Sequence, residues 1–445
     1  MQAEIIALGD ELTCGQRLDT NSQWLSQQLG DCGIRVLFHT TVGDEREAAR
    51  EVFRQAMGRA EIIVATGGLG PTADDLTREC IADACGVDLV RDDTVLEQIR
   101  ALFARRGREM PERNAVQALF PRGSRPIPNP HGTAPGIEML AARQGRDPAR
   151  IFALPGVPAE MREMWTASVL PALAALTSHD RRVIRHRTIH CYGAGESAIE
   201  AMLPDLIRRG RVPSVGITAS KATISLRITA DGPTPEACYE AMQPTADTIY
   251  QCLGDLIFGE DGQTLQEVVV RRLAERGQTL ATVECGSGGA LAEALSQADP
   301  EQRVFRGGWV LRDPAAIAAA LGAVRGSAEP AGWPSGEDIQ TLAAACRAHF
   351  QVDWTLAVGP FPRIDESSAS PPPVQMALAE LSAGQEATLH RPGPAGSSTG
   401  EAPVAIHAHV TPYAGHPDIL LARTVKEALN FLRLRSGPSR RPHRA

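Results

Sequence analysis

The sequence has few aromatic residues, no long apolar run and no paired-cysteine motif. Aromatic side chains make up 4% of its 445 residues, so hydrophobic cores must be built from Leu, Val, Ile and Ala. No run approaches the ~18 apolar residues of a membrane span, and residues 1–5 lead into a strand without the basic and apolar segments of a signal peptide. Nine cysteines are scattered without CxxC spacing. We therefore expect a cytoplasmic protein with reduced cysteines and no membrane partner.

Basic residues are fewer than acidic ones in this chain. Its formal net charge is −8, and its isoelectric point is about 5.8. An acidic chain is a poor general binder of nucleic acid, although a local phosphate site remains compatible with it. The length predicts roughly two to four domains.

A glycine-rich stretch at residues 66–72 is the strongest functional signal. It follows the apolar run 62–65, which predicts a strand buried on both faces, and precedes a helical pattern from Thr77. Ligands of open parallel sheets bind beyond the carboxyl ends of the strands. Backbone N–H groups of a glycine loop and a following helix start favour an anion. We therefore expect Gly67, Gly68 and Gly70 to cradle a phosphate.

Two carboxylates, Asp74 and Asp75, stand beside this loop. Carboxylates repel phosphate unless a divalent cation bridges them, as magnesium commonly does. Alternatively, both residues only cap the following helix. The preceding chain predicts a β-α-β-α-β order, which places Glu11 and the Asp19-Thr20-Asn21 cluster at the same sheet edge.

Residues 126–136 form a second candidate wall of the site. Four prolines or glycines within Pro126-Ile127-Pro128-Asn129-Pro130-His131-Gly132 exclude a helix and predict a rigid loop. Such a loop suits a ligand wall, and it is equally compatible with a surface connection stiffened by proline.

Five motifs in order resemble those of the CinA (competence/damage-inducible protein A) family, whose N-terminal domain is similar to the molybdopterin-binding domain of MogA-like proteins. The motifs are Gly9-Asp10-Glu11-Leu12, Asp19-Thr20-Asn21, residues 66–77, residues 129–136 and Leu154-Pro155-Gly156-Val157-Pro158. The resemblance implies a metal-dependent pyrophosphatase that converts ADP-ribose to AMP and ribose 5-phosphate, with Mg or Co as the divalent cation. It also implies a nucleotide-type small-molecule substrate and a homodimer.

The motifs carry site residues over one by one. We expect Asp74, Asp75 and Glu11 to be catalytic, with Asp74 and Asp75 binding the metal; which carboxylate acts as base stays open. We expect the substrate to be bound by Asp19, Thr20, Asn21, Thr66, Gly67, Gly68, Gly70, Pro71, Thr72, Thr77, Asn129, Gly132, Thr133, Pro135 and Gly136.

The C-terminal third resembles the family's nicotinamide mononucleotide deamidase domain, with changes at the expected active site. That family carries Ala-Glu-Ser-Cys-Thr-Gly-Gly, with the serine as nucleophile. Here Glu284 is kept, Cys285 takes the nucleophile position, and Gly286 and Ser287 follow. Arg312 and Ile317 align with the family's tyrosine and lysine. We expect a degenerate deamidase site, although a thiolate at Cys285 is itself a competent nucleophile.

The predicted fold class is α/β, with a three-layer, mostly parallel MogA-like domain at 1–175. A small α+β middle domain is expected at 176–260. A C-terminal α/β domain is expected at 261–435, with a flexible insert at about 361–402 and a basic tail at 436–445. The favoured function is the pyrophosphatase. The alternatives are a non-catalytic nucleotide- or pterin-binding sensor or scaffold, and a deamidase that uses Cys285.

Overall fold

The computed structural model describes residues 1–176, 182–325, 334–362, 372–381, 404–412 and 417–437. The chain divides into two compact units, Met1–His186 with Thr229–Gln243, and Arg187–Ile228 with Pro244–Ala445. Each unit is described by itself.

The N-terminal part alternates strands and helices up to residue 85 and then turns to short strands and a hairpin. A 3-10 helix spans Glu112–Ala118, and a π-helical turn spans Trp165–Val169. The strands are β1 (Gln2–Leu8), β2 (Arg35–Val42), β3 (Ile62–Thr66), β4 (Leu89–Arg91), β5 (Leu119–Pro121), β6 (Arg125–Ile127), β7 (Gly136–Arg143) and β8 (Arg146–Leu154). The helices are α1 (Asp10–Thr13), α2 (Thr20–Asp31), α3 (Arg46–Arg59), α4 (Thr77–Cys85), α5 (Asp93–Arg105), α6 (Pro158–Met164) and α7 (Leu170–Leu176).

Six of these strands form one sheet in the order β2-β1-β3-β8-β7-β6. Strands β2, β1, β3 and β8 are parallel, whereas β7 and β6 run antiparallel to their neighbours. All five residues of β3 are buried, as its apolar run predicts. Successive residues of β1 face two different cores: Ile6 packs with Phe53 of α3, and Ile5 packs with Leu25 of α2. Helices cover both faces, so the predicted three-layer α/β fold is confirmed.

An ion pair between the buried Glu4 and the partly exposed Arg59 ties β1 to α3. Glu4 is fully buried and accepts hydrogen bonds from Arg59 Nε (2.8 Å) and Nη2 (2.7 Å) and from the Thr40 hydroxyl (2.7 Å). Removing one partner of such a pair leaves an uncompensated buried charge. We expect Arg59→Met to lower the free energy of unfolding by about 3 kcal/mol in urea denaturation. The double variant Glu4→Gln/Arg59→Met should recover part of that loss; an equal loss in both proteins would contradict this interpretation.

The rest of the chain builds two more sheets. The first has the order β10-β11-β9-β12, and the second has the order β14-β13-β15-β16-β17. The strands are β9 (Val183–Cys191), β10 (Ser214–Ser220), β11 (Thr223–Gly232), β12 (Ile257–Glu260), β13 (Leu280–Glu284), β14 (Phe305–Val310), β15 (Trp354–Val358), β16 (Val374–Leu381) and β17 (Val404–Thr411). The helices are α8 (Glu196–Met202), α9 (Pro235–Leu253), α10 (Leu265–Glu275), α11 (Ala290–Ala298), α12 (Pro314–Arg325), α13 (Gly336–Phe350) and α14 (Pro417–Arg435).

Strand β16 corrects one sequence-based expectation. It lies inside the range 361–402, which the sequence predicts as a flexible insert, yet it pairs antiparallel with both β15 and β17. Its alternating small and large apolar residues are mostly buried, so it is an inner strand of the sheet. The prediction is wrong for residues 374–381. Residues 363–371 and 382–402 of the insert, and 438–445 of the basic tail, lie outside the described residues.

Candidate functional site

The carboxyl ends of the four parallel strands bring four loops to one edge of the first sheet. The loops begin at Gly9 after β1, Gly43 after β2, Gly67 after β3 and Pro155 after β8. This is the edge where open α/β sheets bind ligands. Most of the site residues expected from the sequence lie on these loops.

The loop after β3 needs glycine at two positions for different reasons. Gly67 has a φ of +105°, its N–H donates to Leu154 O at 3.1 Å, and a Cβ there would lie 2.3 Å from Leu8 O. Gly68 has a φ of +62°, and a Cβ would lie 2.4 Å from the Thr77 hydroxyl. The backbone therefore passes close to two neighbouring segments, which only glycine permits.

Asp75 fixes the far side of the same loop. Its carboxylate accepts hydrogen bonds from Gly70 N (2.7 Å) and Thr72 N (2.9 Å), and the Thr72 hydroxyl donates to it as well. Thr77 adds a second tie by donating from its hydroxyl to Gly67 O at 2.8 Å. Asp75 therefore organises the loop internally, while the neighbouring Asp74 side chain is exposed to solvent.

Arg78 lies beneath the loop and is not among the site residues expected from the sequence. It is 1% exposed, and its guanidinium donates to Leu69 O and to Gly70 O (3.2 Å). Its Nε has no hydrogen-bond partner, and the charges of Glu79 and Asp75 act on it. Burial lowers the pKa of Arg78. A helical wheel of α4 could have identified it, because Arg78 shares the buried face of Ile81 and Ala82.

Asn21 joins three of the segments. Its amide nitrogen donates to the Thr66 hydroxyl at 3.1 Å and to Gly156 O at 2.9 Å, and the Thr66 hydroxyl in turn donates to Pro155 O at 3.2 Å. Asp19 caps α2 through Ser22 N at 2.9 Å, and Thr20 is the first residue of that helix. The structure thus brings Asn21 and Thr66 together and gives Asp19 a capping contact.

An acidic group of Asp10, Glu11, Asp44 and Asp74 gathers at this edge, and the sequence predicts only Glu11 and Asp74 there. Asp10 and Asp44 accept hydrogen bonds from each other's backbone N–H at 3.0 Å. Burial raises the pKa of Asp44, and the negative charges of Asp10, Asp74 and Glu11 raise it further. The missed residues, Asp10 and Asp44, each directly follow a glycine at the end of a parallel strand, which is the signal that could have found them.

This acidic group is not a preassembled metal centre. In the described part of the chain, no three His, Cys, Asp or Glu side chains are arranged to hold a metal ion. Both oxygens of Asp75, one of the two expected metal ligands, already accept hydrogen bonds from the loop.

Hydrogen bonds of Asn129 hold the proline loop together. Asn129 Oδ1 accepts from Gly132 N at 2.8 Å, and its Nδ2 donates to Ala134 O (2.9 Å) and Glu160 Oε2 (2.7 Å). Asn129 therefore uses its amide to shape the loop. Thr133 and Pro135 line a cavity of about 460 Å³ against α5. Gly136 begins β7.

The predicted deamidase site in the C-terminal sheet is closed. Glu284 is fully buried and accepts hydrogen bonds from the Ser287 hydroxyl (2.6 Å) and from three backbone N–H groups around the start of α11. A Cβ at Gly286 would lie 2.3 Å from Phe361 Cδ1, so this position has no room for the family's cysteine. Ile317 is buried in a hydrophobic core with Leu321. The Ser287 hydroxyl therefore makes a structural hydrogen bond to Glu284.

Cys285 is 5% exposed, and burial, with the charge of Glu284, raises its pKa to about 12. At pH 8 only about one molecule in 10⁴ then carries the thiolate. We expect iodoacetamide at pH 8 to label the exposed Cys14 and Cys252 and to leave Cys285 unmodified, as read by peptide mass spectrometry. Labelling of Cys285 at the rate of Cys14 would contradict the closed site.

Comparisons with known proteins agree with this architecture. Residues 4–175 match the family model described as "Probable molybdopterin binding domain", residues 186–259 match "Damage-inducible protein CinA KH domain", and residues 262–361 match "CinA C-terminal domain". Among the described residues, no helix is long and apolar enough to cross a bilayer.

Individual relatives cover most of the chain. A CinA-like protein of Frankia casuarinae is 36% identical over 82% of this chain and 86% of its own length. A CinA-like protein of Nostoc sp. is 35% identical over 80% of this chain and 83% of its own length. The crystal structure of the protein CinA, of unknown function, from Thermoplasma acidophilum is 32% identical over 40% of this chain and 96% of its own, with a TM-score of 0.33. The chain therefore belongs to the CinA-like protein family.

Proposed function

We propose that the N-terminal part of the chain hydrolyses the pyrophosphate bond of ADP-ribose to give AMP and ribose 5-phosphate, with the help of a divalent cation. One observation carries the proposal. A glycine loop pinned by Asp75 lies at the same sheet edge as four carboxylates, those of Asp10, Glu11, Asp44 and Asp74. Loop N–H groups suit a phosphate, and crowded carboxylates suit a cation.

The donor chemistry fits a hard cation such as Mg²⁺ or Co²⁺ at the acidic group. Burial raises the pKa of Asp44, and the negative charges of Asp10, Asp74 and Glu11 raise it further; a cation would relieve that repulsion. We propose Asp74 and Glu11 as the protein ligands, with substrate phosphate and water completing the shell, because no three carboxylates are arranged to hold a metal in the described part of the chain and the oxygens of Asp75 are occupied. When bound, the cation would neutralise phosphate charge and lower the pKa of a water molecule.

The other residues of the site position the substrate. Asp75 and Thr77 fix the shape of the glycine loop. Because the N–H groups of Gly67, Gly70 and Thr72 already donate to Leu154 O and Asp75, a phosphate would use the other N–H groups of the loop. Asn21 joins the ends of β3 and β8 by donating to the Thr66 hydroxyl and to Gly156 O, and so fixes the positions of the loops that follow these strands. A preorganised cradle of this kind supplies positioning and electrostatic stabilisation, which dominate catalysis of phosphoryl chemistry.

We propose further that the C-terminal domain has no deamidase activity. Phe361 fills the space that a side chain at position 286 would need, Cys285 is buried with a raised pKa, and Ile317 is a core residue. The domain would then act as a structural partner in a cytoplasmic homodimer. Light scattering of the purified chain tests the dimer directly.

A non-catalytic nucleotide- or pterin-binding module is the second candidate. It is favoured by the lack of a preassembled three-ligand metal group in the part of the chain that the structure describes. Such a module would bind its ligand without turning it over.

The two functions are separated by measuring binding and turnover in the same sample. ADP-ribose is first titrated into the chelated protein by calorimetry, and MgCl₂ is then added while products are followed by chromatography. We expect AMP to appear only after the metal. Binding without AMP would favour the module, and formation of nicotinic acid mononucleotide from nicotinamide mononucleotide in a parallel sample would overturn the inactive C-terminal domain.

A further inference from the structure

The segments that follow the four parallel strands of the first sheet are rich in carboxylates and carry a single cationic side chain. In residues 9–21, 43–45, 67–77 and 155–157, Arg17 is the only Arg or Lys. The carboxylates on the same segments are those of Asp10, Glu11, Asp19, Asp44, Glu45, Asp74 and Asp75. Arg17 itself is exposed to solvent, in the loop between α1 and α2. A substrate with two phosphates therefore meets one side-chain cation on these segments.

The two arginines that stand next to these segments in the sequence have other contacts. Arg46 is the first residue of α3, and its guanidinium pairs with Asp83 through Nε at 2.8 Å and Nη2 at 3.1 Å. Arg78 is buried and donates to two carbonyls of the glycine loop from beneath. Arg17 is thus the arginine that a phosphate arriving from solvent at this sheet edge can reach directly.

The loop that carries Arg17 is fixed beside the glycine loop at both of its ends. The strand before it, β1, ends with its last carbonyl so close to Gly67 that a Cβ there would lie 2.3 Å away. After the loop, Asn21 donates to the Thr66 hydroxyl at 3.1 Å. Within the loop, Arg17 N donates to Glu11 O at 3.0 Å. The backbone is therefore positioned in the free protein, and a ligand would order chiefly the Arg17 side chain.

We propose that the Arg17 guanidinium binds the phosphate that departs when the pyrophosphate of ADP-ribose is cleaved. This role rests on the proposed hydrolytic function. In that reaction the water oxygen forms a new P–O bond while the bridging P–O bond breaks, the bridging oxygen leaves with the departing phosphate, and two protons pass to solvent. Negative charge therefore grows on the departing phosphate, and the carboxylates of this edge repel it. A planar guanidinium offsets that repulsion with two parallel hydrogen bonds.

The first test is steady-state hydrolysis of ADP-ribose with Mg²⁺ by variants of the full chain. Because the charge grows in the transition state, we expect Arg17→Gln to lower kcat about a hundredfold and to raise KM by less. Arg17→Lys keeps the charge without the planar fork and should recover about tenfold of that loss. Arg35→Gln is the matched control, because Arg35 is also exposed but begins β2, at the opposite edge of the sheet, and its kinetics should be unchanged. Full kcat in Arg17→Gln would overturn the proposal and leave the hydrolase intact.

A binding measurement separates the role of Arg17 from the hydrolytic function. Inorganic pyrophosphate with Mg²⁺ is titrated by calorimetry into the wild-type chain and the same variants. We expect Arg17→Gln to weaken pyrophosphate binding about tenfold and Arg35→Gln to leave it within about twofold of the wild-type value. Pyrophosphate binding that depends on Arg17 in a protein that forms no AMP would support the proposal and contradict only the hydrolase. No pyrophosphate binding to the wild-type chain, or an affinity that Arg17→Gln leaves unchanged, would overturn it.

Discussion

Asp75→Ala is expected to lower the rate of ADP-ribose hydrolysis about a hundredfold and to destabilise the protein by about 2 kcal/mol. The Asp75 carboxylate accepts hydrogen bonds from Gly70 N, Thr72 N and the Thr72 hydroxyl, and these are charge-assisted bonds. Without them the outer half of the loop has no anchor, and a shift of about 1 Å is enough for a loss of this size. Steady-state kinetics and urea denaturation measure the two effects.

A matched control separates loop geometry from general loss of stability. Thr264 caps α10, with its hydroxyl accepting from Glu267 N at 3.4 Å, in a different part of the chain. Thr264→Ala should cost about 1 kcal/mol and leave hydrolysis unchanged. Full activity in Asp75→Ala would contradict the role of the pinned loop, even if the protein were destabilised.

Replacing Arg78 is expected to weaken the binding of a phosphate ligand far more than it weakens the fold. Its buried guanidinium donates to the carbonyls of Leu69 and Gly70 and lies under the loop, where the low dielectric preserves its field. At an effective dielectric constant of 20, a unit charge several Å away contributes on the order of 2 kcal/mol, or about thirtyfold in affinity. We expect a loss of about this size in Arg78→Gln.

The Lys variant distinguishes charge from hydrogen bonding. Arg78→Gln keeps a donor for the carbonyls of Leu69 and Gly70 but removes the charge, whereas Arg78→Lys keeps the charge and gives up the planar fork. Inorganic pyrophosphate titrated into each protein should bind more tightly to the Lys variant than to the Gln variant. If both variants lose affinity only in proportion to their loss of stability, Arg78 is a purely structural residue.

The first three strands and the glycine loop could be predicted because their signals are local. Residues 62–65 form a continuous apolar run, and Gly67 and Gly68 follow at once. The same strand-end reasoning predicts that Glu11 lies at the same sheet edge as Asp74. It was not extended to Gly43-Asp44, because β2 is an exposed edge strand whose end is marked less clearly by burial.

The hairpin of β7 and β8 and the strand β16 could not be read in the same way. Prolines before Gly136 obscure the alternation of Ile137, Met139 and Ala141, whose side chains are buried while Leu140 is exposed. Strand β16 stands between segments rich in Ser, Pro and Gly, and its burial depends on pairing with β15 and β17. Such nonlocal pairing leaves little trace in a short stretch of sequence.

Individual roles depend on atoms that the sequence does not place. Asp74 and Asp75 are neighbours with identical chemistry. The Asp74 side chain is exposed to solvent, whereas the Asp75 carboxylate accepts hydrogen bonds from the loop. Asn129 was expected at the substrate, and its amide instead closes its own loop. Backbone geometry, which single-sequence patterns do not specify, decides both cases.

The metal dependence of AMP formation in Asp74→Asn tests the central proposal most directly. Purified wild-type protein and the variant are incubated with ADP-ribose, each with Mg²⁺, Co²⁺ or a chelator, and the products are separated by chromatography. We expect wild-type protein to form AMP and ribose 5-phosphate only with metal, and Asp74→Asn to be at least about a hundredfold slower. AMP formation that persists in chelator, or that is equally fast in Asp74→Asn, would contradict a metal-assisted pyrophosphatase at this sheet edge.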